Sequence, residues 1–221
     1  MTQPAPIVTR ALSWLIAVLI PFFLLMTSIR ILINPLFVQI EYRTPNFPED
    51  PYGFNLQDRL KWASISVDYL INNAGIEYLA SQRLPDGAPL YNDRELSHML
   101  DVKKLVQAMI VAWWILVGVL FLLGMWAWRA GWLYDYRLGA SRGGWITIGL
   151  IALILVGVAL SFRTLFTDFH RIFFQGDTWL FLYSDSLIRL FPMRFWQDCF
   201  IWMGGMTILF AGLLGYFGRN K

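Results

Sequence analysis

The segment "LVQAMIVAWWILVGVLFLLGMWAW", residues 105–128, carries one strongly polar side chain, Gln107, in 24 consecutive positions. A helix crossing the hydrocarbon of a bilayer needs about 20 apolar residues. Lipid offers backbone N–H and C=O groups no water to bond, so such a run must be helical. Three further windows share this character. Residues 12–33 (LSWLIAVLIPFFLLMTSIRILI) are interrupted by Pro21 and Arg30, residues 145–166 carry Arg163 near their end, and residues 200–217 are shorter and glycine-rich. The composition agrees, at 57% hydrophobic, 17% aromatic and only 15% charged, far from a soluble average. The expectation is an all-α integral membrane protein, one domain over residues 1–221, with four transmembrane helices and short extracytoplasmic interfacial helices. Ala211 with Gly215, and Gly204 with Gly205, supply small residues at which helices can approach closely.

The first window is too long for the apolar region of a signal peptide, contains an arginine, and is followed by no A-x-A-like site. It is expected to stay as a helix. A lone Cys199 excludes an intramolecular disulfide and leaves the redox compartment undefined. The net charge of +3 calls for no nucleic-acid partner, because basic loop residues on one side of the membrane account for it.

Four spans put both termini on the same side as a loop over residues 128–144. That side holds Arg10, Arg129, Arg137, Arg142, Arg219 and Lys221 against one acid, Asp135. Opposite lie residues 34–104, with seven basic and ten acidic side chains, and 167–199, with three and four. The excess of Lys and Arg predicts a multi-pass membrane protein with cytoplasmic termini. Both histidines then face outward.

In the outer segments, four prolines make residues 34–53 read as extended or turn-rich. From Phe54, the spacing of Leu56, Leu60, Ala63, Val67 and Leu70 predicts an amphipathic helix that lies on the membrane or packs on the bundle. A short helical piece follows over residues 76–82, then a turn-rich loop. Asn92 with Glu95 has the form of a capping box, and no breaker separates it from the second span. One helix is therefore expected from about Asp93 to Trp128, with Arg94, His98 and Asp101 sharing a face. Residues 182–192 (LYSDSLIRLFP) read as a short interfacial helix ended by Pro192.

His98 and His170 are the two histidines of the chain. Each stands near an acid, Asp101 and Asp168 respectively. A neutral imidazole takes up a proton near neutral pH, and a nearby carboxylate raises its basicity. Interfacial histidine is also a common structural residue, so either one alone is ambiguous. Zinc on the two histidines with Asp101 or Asp168 is a rival reading, but there is no H-E-x-x-H and no Cys/His cluster. No metal or cofactor is expected. Ser97 adjoins His98, yet adjacent helical residues point apart and no G-x-S-x-G elbow exists. Arg30 and Arg163 read first as snorkelling residues. The aromatic group at Phe166, Phe169, Phe173, Phe174, Trp179, Phe181, Phe195 and Trp196 reads equally as an interfacial belt or as the wall of an acyl pocket.

Three stretches carry a resemblance: Tyr52-Gly53 with Arg59 and Asp68-Tyr69-Leu70; "NDRELSHMLDVKKL" over 92–105; and "FHRIFFQGDTW" followed by "LIRLFP" and "FW" over 169–196. They are similar to the family of bacterial four-helix integral membrane proteins that includes the lipoprotein intramolecular transacylases, and the similarity runs from residue 10 to 217. The resemblance implies an acyltransferase that moves the sn-2 acyl chain of a diacylglyceryl-cysteine lipoprotein to the cysteine α-amine, leaving the lyso form. Its catalytic histidines correspond to His98 and His170. Asp101 is then the orienting carboxylate, with His98, His170 or Arg171 polarising the ester carbonyl. Tyr52, Arg59, Tyr69, Arg94, Arg171, Phe174 and Trp179 become the substrate contacts. The expected partners are a lipid-modified lipoprotein and membrane lipids. The reading from another class is a non-catalytic family member with a structural or sensing role at the membrane surface.

Overall fold

A computed structural model describes residues 4–218, so Arg219 and Lys221 lie outside the described residues. Eight helices form among these residues, in the order α1 Pro6–Leu32, α2 Pro35–Glu41, α3 Leu56–Ile71, α4 Glu77–Ala80, α5 Asp93–Arg129, α6 Leu133–Phe173, α7 Ser186–Leu190 and α8 Met193–Phe217. No strand forms among them beyond an isolated bridge between Arg83 and Pro89. α1, α5, α6 and α8 are long and apolar enough to cross a membrane. The chain is therefore an all-α membrane protein with four membrane-spanning helices.

Two expectations need correcting. Residues 35–41 are helical, because Asn34 caps α2 by accepting from the Leu36 N–H at 2.8 Å. Pro35 then sits at the first helical position, where its missing N–H costs nothing. The second correction concerns residues 128–144, read as a loop. The connection is only residues 130–132, turning at Gly131 with φ +76°, and α6 starts long before its apolar window. The charged residues Asp135, Arg137 and Arg142 thus lie on helix.

The chain divides into two compact units, one of Met1–Arg30, Met109–Ala159 and Ile201–Lys221, the other of Ile31–Ala108 and Leu160–Phe200. In the first, close helix contact is made at small residues. A Cβ on Gly139 would meet the Ser13 carbonyl oxygen at 2.4 Å, and one on Gly143 would meet Ile20 at 2.6 Å, so α6 lies tightly on α1. Gly144 faces Ala211 and Gly215 of α8 in the same way, and Gly204 faces Leu155, whereas Gly205 borders open space. Such contact matters in lipid, where burying apolar surface drives nothing. Polar side chains add to it: Thr207 Oγ1 donates to Ser28 Oγ at 2.8 Å, and Trp113 Nε1 donates to Thr27 Oγ1 at 2.9 Å.

The second unit has its own core, including Val38, Leu60, Trp62, Leu79, Leu187 and Leu190. α3 begins with a reciprocal Asn55/Asp58 capping box and packs against α2, α4 and α7. Trp62 and Tyr69 are buried, so this helix turns its aromatic face inward. α6 is broken at Ser161, whose φ of −160° and ψ of 83° are extended. At 37 and 41 residues, α5 and α6 each contain more residues than the about 20 needed to cross the hydrocarbon. Each therefore has polar turns outside its apolar window. His98 and His170 lie in those turns.

Candidate active site

His98 is fixed by the start of α5. Asn92 Oδ1 accepts from the Glu95 N–H at 3.0 Å, and Glu95 Oε2 accepts from the Asn92 N–H at 2.8 Å. The capping box expected from sequence is thus present. Glu95 also does something invisible in the sequence: its Oε1 accepts from the Leu187 N–H at 2.7 Å. One buried carboxylate thereby caps α5 and holds the start of α7. Its burial raises its pKa, against the hydrogen bonds from Asn92 and Leu187. Ser186 Oγ donates to the Leu90 carbonyl and Asn92 Nδ2 to Asp185. Three groups next to α5 therefore anchor residues 185–187, three positions along from which α5 presents His98.

His170 sits in the last turn of α6, and its Nδ1 is 2.8 Å from the Phe166 carbonyl oxygen. A carbonyl can only accept, so the neutral ring carries its proton on Nδ1 and its lone pair on Nε2. The two imidazoles meet, with ring centroids 5.9 Å apart and planes inclined by 23°. Phe174 touches both, at 4.9 Å from His98 and 5.4 Å from His170. Phe181 closes on His98 at 5.4 Å, Trp179 on His170 at 5.2 Å, and Phe166 on His170 at 4.2 Å. Both histidines are under a tenth exposed, and among the described residues His98 Nδ1 has no hydrogen-bond partner.

This enclosure sets the electrostatics. Burial lowers the His98 pKa to about 4, the His170 ring lowers it further and Asp101 acts the other way. Burial likewise lowers His170, opposed by the Phe166 carbonyl. Both rings are therefore neutral at pH 7, each with a lone pair open to a proton. A neutral pair in an apolar cage suits proton transfer better than anion binding.

The other candidates divide. Phe174 and Trp179 form the cage. Arg94 donates to the Leu180 carbonyl at 3.0 Å, holding the loop that carries Trp179 and Phe181. Asp101 accepts from Lys104 Nζ at 3.1 Å, and no hydrogen bond joins it to His98; it acts on that ring through space. Arg171 is exposed, 3.7 Å from Asp168, so Asp168 faces this guanidinium. Tyr52 lies under the Arg189 guanidinium at 5.7 Å. Arg59 and Tyr69, expected as substrate contacts, are both enclosed in the core. Arg59 lies over the rings of Tyr42 and Phe47, at 4.8 and 5.1 Å, and donates to the Pro48 carbonyl. Tyr69 lies under Lys103 Nζ at 4.0 Å. Among the described residues no three His, Cys, Asp or Glu side chains gather as a metal site. Sequence reading missed the Phe166 carbonyl, a backbone atom with no residue signature. It also missed the second Glu95 bond, which spans 92 residues of chain.

The family described as "Lipoprotein intramolecular transacylase Lit" matches residues 14–196. An uncharacterised protein of Aquifex aeolicus (strain VF5) is 30% identical over 214 residues, covering 93% of this chain and 95% of that one. The fold is shared with the in meso structure of the membrane integral lipoprotein intramolecular transacylase Lit from Bacillus cereus. Identity there is 15%, the TM-score 0.69, and the coverage 97% of this chain and 96% of that chain. A form of the same protein with a histidine-to-arginine mutation gives 16% identity and a TM-score of 0.75, over 96% and 91% of the two chains. With a family match over most of its length, this chain belongs to the lipoprotein intramolecular transacylase Lit family.

Proposed function

We propose that this protein transfers an acyl chain within a diacylglyceryl-cysteine lipoprotein, from the sn-2 ester of the glyceryl group to the cysteine α-amine. The observation that carries the reading is the pair of neutral imidazoles 5.9 Å apart inside an aromatic cage, on a chain of this family. The amine nitrogen attacks the ester carbonyl carbon and a tetrahedral oxyanion forms. One histidine, through a ring nitrogen such as His170 Nε2, accepts the proton that the amine loses. Collapse forms the amide C–N bond and breaks the ester C–O bond, and a histidine returns a proton to the departing glyceryl oxygen. The products are an N-acyl lyso-lipoprotein and the starting enzyme, so no serine or cysteine nucleophile is required. Nucleophile and ester belong to one substrate, and holding them close supplies much of the acceleration.

His98 and His170 are the proposed catalytic pair, with Asp101 favouring the charged His98 ring from a distance. Phe174 and Trp179 receive the acyl chain, and Arg171 is placed to meet the ester carbonyl or a headgroup oxygen. Tyr52 stays a proposed contact at the edge of the unit, while Arg59 and Tyr69 hold the core beneath. The excess of arginine on the opposite segments supports a site on the extracytoplasmic face. The test is mass spectrometry of lipoproteins from cells carrying the wild-type protein, His98→Gln or His170→Gln. The wild type yields N-acylated lyso lipoproteins, and each variant at normal membrane abundance loses that form by about 10²–10⁴ in rate. Unchanged lyso form in both variants overturns the reading.

A further inference from the structure

The first unit contains a groove of about 450 Å³ that the histidine chemistry does not use. It is formed by the last turns of α5 and the start of α6, and its walls include Leu120, Phe121, Gly124, Met125 and Tyr136, with Arg129 at one end. Phe121, Met125 and Arg129 are four residues apart, so they form one stripe along α5 about 12 Å long. Gly124 makes room on the neighbouring stripe. A Cβ there would stand 3.3 Å from the Tyr136 ring, whose hydroxyl donates to the Leu120 carbonyl at 3.1 Å. The tyrosine hydroxyl is thereby occupied, and Arg129 is left as the charged group at the groove.

Among the described residues, no carboxylate pairs with Arg129, since the ion pairs formed are those of Lys104, Arg171, Arg189 and Arg194. The same helix ends carry Arg10, Arg137 and Arg142 against Asp135 alone. Arg142 is engaged over the Trp14 ring at 4.8 Å. Arg129 is exposed and meets the apolar stripe where the window of α5 ends.

We propose that this groove holds one anionic phospholipid of the bilayer, an acyl chain along the Phe121–Met125 stripe and the headgroup phosphate on Arg129. Lipid surrounds this surface already, so apolar contact alone selects nothing. Selection comes from the unpaired guanidinium beside the apolar groove. An anionic headgroup gains from Arg129 at the groove, whereas a zwitterionic one brings a compensating ammonium. The site is independent of the acyl transfer proposed above.

The test uses the full chain purified in detergent and titrated with dioleoyl phosphatidylglycerol or dioleoyl phosphatidylcholine, with retained lipid read by native mass spectrometry. One phosphatidylglycerol should be retained, roughly fivefold more tightly than phosphatidylcholine, the factor matching about 1 kcal/mol per basic residue at a membrane surface. Arg129→Gln should abolish that preference and Arg129→Lys keep most of it. Gly124→Leu should lower retention of both lipids, and Arg137→Gln should leave the preference largely intact. Equal retention of the two lipids by the wild type overturns the proposal. So does an Arg129→Gln protein that binds like the wild type, or an Arg137→Gln loss as large as that of Arg129→Gln, which would mean diffuse surface charge. Arg129 and Arg137 are exposed, so thermal unfolding of these variants should match the wild type and keep the comparison valid.

Discussion

His170 owes its tautomer to a backbone atom four residues before it. Because the Phe166 oxygen accepts from Nδ1, the basic lone pair is confined to Nε2. His98 is set by burial instead, which brings its pKa down to about 4. A group whose folded pKa lies below its unfolded value binds fewer protons when folded, so protonation favours the unfolded chain. This contribution to stability is intact above the ordinary imidazole value of about 6.5. It is lost progressively as pH falls from there toward about 4. Thermal unfolding in detergent between pH 7 and pH 4 should therefore fall more steeply for the wild type than for His98→Gln. Equal slopes would mean that His98 titrates normally. The same direction of shift puts the acid limb of the proposed acyl transfer below pH about 6.5, read from initial rates on a lipopeptide.

At the scale of elements, the short polar beginning of α5 organises the site. Glu95→Ala removes the acceptor for the Asn92 and Leu187 N–H groups and should destabilise the protein by roughly 2 kcal/mol, a lost cap plus a buried unpaired donor. Glu95→Gln, with one remaining carbonyl oxygen, should lose about half of that. Thermal unfolding in detergent checks both, and an unaffected midpoint for Glu95→Ala would show that the second bond carries no stability. Half of this feature was legible in the sequence. Asn92 and Glu95 are local, and their three-residue spacing is a signature; Leu187 is distant, and its N–H has none. The same contrast explains α2. Four prolines read as breakers, yet Asn34-Pro35 is a helix start, because proline at the first helical position loses no hydrogen bond. Apolar runs announced the spans directly. Their partners did not announce themselves: Ala211 and Gly215 stood out as small residues, but nothing in the order of residues tied them to Gly144.

For the whole molecule, the arginine distribution gives an orientation that labelling can check. With Cys199 replaced by alanine, a cysteine at Asp86 should react with a membrane-impermeant maleimide in intact cells, and one at Arg137 only after permeabilisation. The reverse pattern would put the histidines inside. Membership of the family was legible because two of its three motif stretches carry the histidines; the enclosure of Arg59 and Tyr69 was not, because burial depends on α2, α3 and α4 closing together. The central claim is that two buried neutral histidines move an acyl chain from oxygen to nitrogen within one substrate. Its most direct measurement is incubation of the purified protein with a synthetic diacylglyceryl-cysteine lipopeptide, followed by tandem mass spectrometry. Intramolecular transfer predicts a product of unchanged mass whose α-amine is acylated, with no free fatty acid released, and no such product from His98→Gln or His170→Gln. Unreacted substrate, or a product lighter by one acyl chain with free fatty acid, would contradict it.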